Sequence, residues 1–230
     1  MCLKCRKDKR IFTIRQYLDI DMTWRRESTM NNKIICIGRQ FGSGGYEIAA
    51  RTAQRLGIRM YDKDILYLAC QYGELEPEIL EVSDEKAFNP YLFHAIFDGN
   101  YRVLKGLPAS KVLFELQSHE IRRIASEESC IFVGRCADYV LRDEPVSLLR
   151  VFVSAPFEQR VRHKAELEKL PEKKARQLVT KMDKQRKKYY DNYTGQIWGD
   201  PQFYDLNIDT GRISVDEAVN LIVSGYARIE

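Results

Sequence analysis

Long hydrophobic runs are missing from this 230-residue chain, and so are most of the residues that metal and nucleophile chemistry needs. No apolar stretch approaches the roughly eighteen residues of a membrane span, so no membrane helix is expected. The N-terminal segment has neither the apolar core nor the small-residue cleavage site of a secretory signal, and a cytoplasmic location is the default expectation. Histidine occurs three times, at His94, His119 and His163, with no spacing that suggests a metal site or a Ser–His–Asp set. Cys2 and Cys5 have C-x-x-C spacing, but no second pair or His cluster completes a zinc site. The six cysteines are therefore expected as free thiols, and no metal ligands are assigned. Internal repeats and low-complexity stretches are also absent.

Charge is present but unevenly spread. The formal net charge of +4 divides into +5 over residues 1–33 and −1 over the rest. Within that rest, residues 160–188 hold twelve Lys/Arg against four acids. An acidic body with one concentrated basic segment suits a small anionic ligand better than a nucleic-acid surface, so nucleic acid is not an expected partner. Nothing in the pattern speaks to oligomeric state.

The hydrophobic pattern changes period repeatedly. Residues 1–32 show no sustained helix or strand pattern and are read as an extension, disordered or not native. From Lys33 onward strands and helices alternate. A strand at 33–37 precedes a glycine loop and a helix at 45–56, and a short strand near Tyr61 precedes a helix to about Gln71. Residues 74–108 are irregular, with three prolines and the aromatic group Phe88, Tyr91, Phe93 and Phe97. A long helix at 109–127 follows. "CIFVGRCADYVL" reads as strand, turn and helix, and "LLRVFVSA" as a buried strand. Helices at 156–169 and from Pro171 to about Tyr190 come next. "YDLNIDT" is a last strand before a helix at 214–227 capped by Ser214. Such alternation predicts a three-layer α/β fold, a doubly wound parallel sheet of about five strands. Ligands in such folds sit at the carboxyl ends of strands, where the glycine loop, Asp62, Gly134-Arg135 and Asp209-Thr210 all fall.

The stretch "ICIGRQFGSGGYEIAARTAQRLG", residues 35–57, has the strand, glycine turn and helix of a phosphate-binding loop. The lysine and hydroxyl residue that normally follow the last turn glycine are replaced by Gly45, Tyr46 and Glu47. Gly42, Ser43, Gly44 and Gly45 keep a backbone cradle for phosphate at a helix N-terminus. Arg39 is the nearest substitute cation in sequence, or else a surface ion-pair partner. Glu47 either repels triphosphate, ligates Mg²⁺, or is an ordinary acid in the first helical turn.

Together, "ICIGRQFGSGGYEIA", "YDKDIL", "FVGRCADYVL" and "DKQRKKYY" with "WGDPQFYDLNID" resemble the cytidylate kinase-like family of P-loop proteins. The resemblance runs from about Lys33 to the C-terminus. It implies a P-loop kinase fold with a helical lid at about 156–200, an acceptor-side insertion at about 74–108, and Mg²⁺ with ATP as cofactor. The implied activity is ATP-dependent phosphoryl transfer to a small phosphorylated acceptor, first CMP or dCMP. By the same resemblance residues 42–47 match the phosphate loop, Asp62 the acceptor-side aspartate, and Arg135 the arginine that grips the acceptor phosphate. Asp209 and Thr210 lie where the last strand approaches the adenine, and Arg160, Arg162 and residues 181–188 fall in the lid. Cytidylate kinase itself carries lysine, glycine and threonine at positions 45–47, and aspartate at Cys136.

Phosphoryl transfer needs cations that converge on spreading negative charge. Arg135 is the first candidate, since a guanidinium takes phosphate bidentately. Arg160 shares a helix face with Lys164, and Arg186 follows Asp183 by three residues and is expected to swing in on lid closure. Asp62 holds an acceptor hydroxyl or amino group, or forms a turn with Lys63. Two other functions stay open at this point: nucleotide binding without transfer, motivated by Gly45 and Glu47, and RNA binding by the charged and aromatic segment 181–190.

Overall fold

The computed structural model describes residues 32–65, 68 and 109–229. The N-terminal extension, the irregular 74–108 stretch with its aromatic group, and the end of the helix expected to reach Gln71 lie outside the described residues. Among those described, the chain runs β1 (Lys33–Arg39), α1 (Gly45–Leu56), β2 (Arg59–Tyr61), α2 (Ala109–Glu127), β3 (Cys130–Val133) and α3 (Ala137–Val140). It continues through β4 (Ser147–Ser154), α4 (Phe157–Glu168), α5 (Glu172–Thr194), a 3₁₀ turn at Pro201–Phe203, β5 (Leu206–Asp209) and α6 (Val215–Arg228).

The five strands form one parallel sheet in the order β2-β3-β1-β4-β5. β1 is central, and its run of apolar residues is continuous because both of its faces are covered. Ile35 and Ile37 point into a core closed by α1 and α6, through Ile48, Ala49, Ala218 and Ile222. Ile34 and Cys36 point the other way, into a core with Ile121 and Ile124 of α2 and Val140 and Leu141 beside α3. A third, small cluster forms where α4 meets α5, around Val161, Ala175 and Val179, with Phe41 of the glycine loop packed against it.

Local signals account for the helix ends. α1 stops at Gly57, which adopts φ 66°, and Pro156 and Pro171 precede α4 and α5 as their N-caps. α5 runs four residues past Tyr190, to Thr194, because Tyr190 faces inward at 5% exposure and the left-handed stop is Gly195 at φ 69°. No helix among the described residues is long and apolar enough to cross a membrane.

The connection from β1 crosses toward β2, whereas that from β3 crosses toward β4. The crevice between the carboxyl ends of β1 and β3 is therefore the topological switch point, the place in such sheets where ligands bind.

Ser214 and Glu217 form a reciprocal cap on α6. The Ser214 hydroxyl accepts from the Glu217 N–H at 3.2 Å, and a Glu217 carboxylate oxygen accepts from the Ser214 N–H at 2.8 Å. Ser214→Ala should lower the melting temperature by about 2–4 °C, measured by calorimetry, without changing the two-state character of the transition.

Candidate functional site

The glycine loop, residues 40–44, is tied down through its carbonyls. The Ser43 hydroxyl donates to the Gln40 carbonyl at 2.8 Å, the Thr210 hydroxyl to the Ser43 carbonyl at 2.9 Å, and His163 Nδ1 to the Gly42 carbonyl at 2.9 Å. The Gln40 N–H donates to the Val153 carbonyl at 2.9 Å, and its side-chain oxygen accepts from the Ala155 N–H at 3.1 Å. Gly42 and Gly44 take φ 83° and 79°, and a Cβ on Gly42 would lie 2.9 Å from the Arg160 carbonyl oxygen. Gly44 is the N-cap of α1 and brings no side-chain cap. The first-turn N–H groups have no partner within the helix by construction, which makes this end a ready site for an anion. The Glu47 side chain is 57% exposed and accepts from Arg51 one turn on, at 3.4 Å.

Asp183 of α5 joins the helical pair to this loop. One carboxylate oxygen accepts from the Phe41 N–H at 2.8 Å and the other from Arg160 Nη1 at 2.6 Å. Arg160 is 5% exposed and also donates to the Ala155 carbonyl (2.9 Å) and the Phe41 carbonyl (3.0 Å). It is thus committed beneath the loop, and it does not line the cleft at the switch point. Lys164, on the same helix face, pairs with Glu168 at 3.0 Å and lies 4.5 Å from the Phe41 ring centre.

Three other arginines do line that cleft: Arg39, Arg135 and Arg186, together with Gly134, Asp138, Tyr189, Tyr190, Trp198 and Tyr204 among its walls. Arg186 donates to the Arg39 carbonyl at 3.2 Å, and its guanidinium lies 5.4 Å from the Phe41 ring centre. Arg39 does not fold back over the glycine turn, as a substitute for the loop lysine would. It reaches toward β2 and donates to Asp62 at 3.2 Å, so these two expected site residues meet each other. The reason is that Arg39 ends β1 next to the crevice, where Asp62 follows β2.

Gly134, Arg135 and Cys136 form a turn with φ 77°, 60° and 56°, closed by the Ala137 N–H on the Gly134 carbonyl at 3.2 Å. Two non-glycine residues in the left-handed region cost about 1–3 kcal/mol each, strain that recurs where a side chain must be aimed at a ligand. Cys136 is 2% exposed and burial pushes its thiol well above the usual range, so it is no nucleophile at neutral pH. Asp209 and Thr210 sit beside the glycine loop. The Asp209 side chain accepts from the Gly211 N–H at 2.9 Å and pairs with Arg212 at 3.5 Å, while Thr210 holds Ser43 as described.

Sequence reasoning missed Asp138, Trp198 and Tyr204, and placed Tyr189 and Tyr190 only in the basic 181–190 segment, not in the cleft wall. Asp138 stands in the first turn of α3, three residues after Arg135, a placement that the strand–turn–helix pattern already implied. The Tyr190 hydroxyl donates to it at 2.6 Å. Tyr190 is therefore spent on the cleft wall and offers no stacking surface for bases, which removes one support from RNA binding by residues 181–190. Phe152 backs the wall, with ring centres 5.4 Å from Trp198 and 5.0 Å from Tyr204.

The switch-point cleft, the glycine loop opening a helix and the 2-3-1-4-5 sheet define a fold of the P-loop kinase type. Residues 34–212 match the cytidylate kinase-like family, and the chain belongs to that family. It is 24% identical over 197 residues to a cytidylate kinase of Methanopyrus kandleri, a match covering 82% of this chain and 90% of that one. The crystal structure of an uncharacterized protein from Eubacterium ventriosum ATCC 27560 is similar at a TM-score of 0.64 and 29% identity, covering 86% of this chain and 99% of that one.

Burial raises the Asp138 carboxyl above its ordinary value, opposed by the bonds from Tyr190 and backbone N–H groups and by the charge of Arg150. Between the ordinary aspartate value and this raised one, the native state keeps a proton that the unfolded chain has released. Stability contributed by this group is then full at low pH and is lost as pH rises through that interval. Asp138→Asn should flatten that decline when unfolding free energy is measured by denaturant titration from about pH 4 to 8. Parallel pH profiles for the two proteins would count against it.

Proposed function

We propose that this protein transfers the γ-phosphoryl group of ATP to a small phosphorylated acceptor, with CMP and dCMP as first candidates. The observation that carries the reading is the gathering of three guanidiniums, from Arg39, Arg135 and Arg186, in one cleft beside the uncapped glycine end of α1. The cytidylate kinase name of the Methanopyrus kandleri relative supports the choice of acceptor. In this reading a phosphate oxygen of the acceptor attacks the γ-phosphorus in line, the bond to the β–γ bridging oxygen breaks, and ADP leaves. The backbone N–H groups of residues 44–47 hold the donor phosphates. Arg135 holds the acceptor phosphate, and Arg186, on the helical pair that serves as a lid, adds charge where it develops in the transition state. Among the described residues no group of three or more His, Cys, Asp or Glu is placed to hold a metal. Mg²⁺, expected with ATP from the family resemblance, would supply positive charge to the transferring phosphates.

Gly45 favours a second reading, nucleotide binding without transfer, because a charge-assisted contact worth about 1.5–3 kcal/mol is missing from the loop. A thermal-shift panel of nucleotides, followed by an ATP-consumption assay with chromatography of the products, separates the two. Formation of ADP and a diphosphate supports transfer; binding without turnover supports the second reading.

Arg135→Ala should weaken CMP binding about 10- to 150-fold in calorimetric titration and leave ATP binding within about twofold. Equal loss of both ligands would place Arg135 on the other side of the cleft. Arg186→Ala should cut turnover at saturating substrates by at least about tenfold with ATP affinity little changed, since its contribution belongs to the transition state.

A further inference from the structure

The side chain of Arg39 runs through a slot whose two walls are glycines. A Cβ on Gly45 would lie 2.6 Å from Arg39 Cβ and 3.2 Å from its Cγ, with Val153 Cβ at 3.3 Å behind. At the far end, a Cβ on Gly134 would lie 2.0 Å from Arg39 Nη1. Gly45 is an ordinary helical residue without a positive φ, so backbone conformation gives no reason for glycine there. The reason is occupancy, because the stem of Arg39 fills the volume in which any side chain at position 45 would begin. Gly134 is glycine on two counts, its φ of 77° and the guanidinium against it.

The guanidinium is held at that far end. Nη2 donates to Asp62 at 3.2 Å, and the two side chains are 11% and 17% exposed. The Arg39 carbonyl accepts from Arg186. The positive charge thus lies beside Gly134-Arg135 at the mouth of β3, across the crevice from the glycine turn.

We propose that Arg39 and Gly45 are one device, in which Arg39 excludes the usual loop lysine and carries a positive charge to the acceptor end of the cleft, where Asp62 orients it. Arg39 is a positioning and binding residue for the acceptor's anionic group, together with Arg135. The charge half of this proposal rests on the phosphotransferase reading above; the packing half does not.

The packing half is tested on stability alone. Gly45→Ala should lower the melting temperature by about 3–10 °C, because an overpacked contact must be relieved by shifting backbone. Only removal of Arg39 Cβ opens the space, so the partner variant is Arg39→Gly. In the Arg39→Gly background, Gly45→Ala should cost nothing or stabilise, alanine being the better helix former. An equal loss in both backgrounds overturns the proposal.

The charge half is tested with Arg39→Met, which keeps the stem and removes the charge, and with Arg39→Lys. Calorimetric titration with CMP and with ATP·Mg should show Arg39→Met weakening CMP at least about tenfold and ATP less than about threefold, one charge-assisted contact being lost. Arg39→Lys should recover part of the CMP loss, which a purely structural role would not produce. A loss falling mainly on ATP, or no loss on CMP, overturns the proposal. If the unaltered protein binds neither CMP nor ATP, the phosphotransferase reading fails with the charge half, and the stability cycle still decides the packing half.

Discussion

The carboxylate of Asp183 is the joint on which the arrangement turns. It accepts from the Phe41 N–H in the glycine loop and from Arg160 in α4, while its own helix, α5, carries Arg186 into the cleft. Arg160 is almost wholly buried, and a buried guanidinium without a carboxylate costs several kcal/mol, about 3–5 in comparable buried pairs. That ion pair lies within the helical pair, and the bonds that join the pair to the loop are the Phe41 N–H to Asp183 and Arg160 to the Phe41 carbonyl. Phe41, packed against the α4–α5 cluster under Lys164 and Arg186, adds an apolar contact to the same joint.

From that joint the chemistry divides cleanly. The carbonyls of Gln40, Ser43 and Gly42 accept from Ser43, Thr210 and His163, while the amides of the first turn of α1 have no partner within the helix. The cations stand on the other side of the crevice. In a usual phosphate loop the backbone and a lysine act on the same phosphates; here the backbone cradle is kept and positive charge is concentrated at the β1–β3 switch point. Asp138, buried with Tyr190 against it, places a carboxyl in the wall of the cleft, and burial raises its pKa.

How much of this is legible from sequence depends on the range of the physical signal. The boundaries of α1 and α6 follow from Gly57 and from the Ser214–Glu217 cap, interactions that span four residues or fewer. The central strand follows from an unbroken apolar run that only a sheet covered on both faces can bury. The central strand runs two residues past the expected end, to Arg39, and α5 runs four residues past Tyr190 because that inward-facing residue continues the helix to a glycine stop just beyond it.

The amino-acid sequence by itself determined the alternation of strands and helices, the parallel sheet, the glycine cradle and the family. Those depend on local periodicity and on residues adjacent in the chain. Only the tertiary structure decided which arginines serve the cleft. Arg160 and Arg186 come from the same basic segment, yet one is held beneath the loop by a carbonyl 119 residues away and the other lines the crevice. Arg39 stands beside the loop by sequence and reaches Asp62 at the β3 side of the crevice by geometry, because Asp62 and the two glycines beside it leave its long side chain one path. A guanidinium lies about 6 Å or more from its own backbone, so its place is set by partners that folding brings near, and not by its neighbours in sequence.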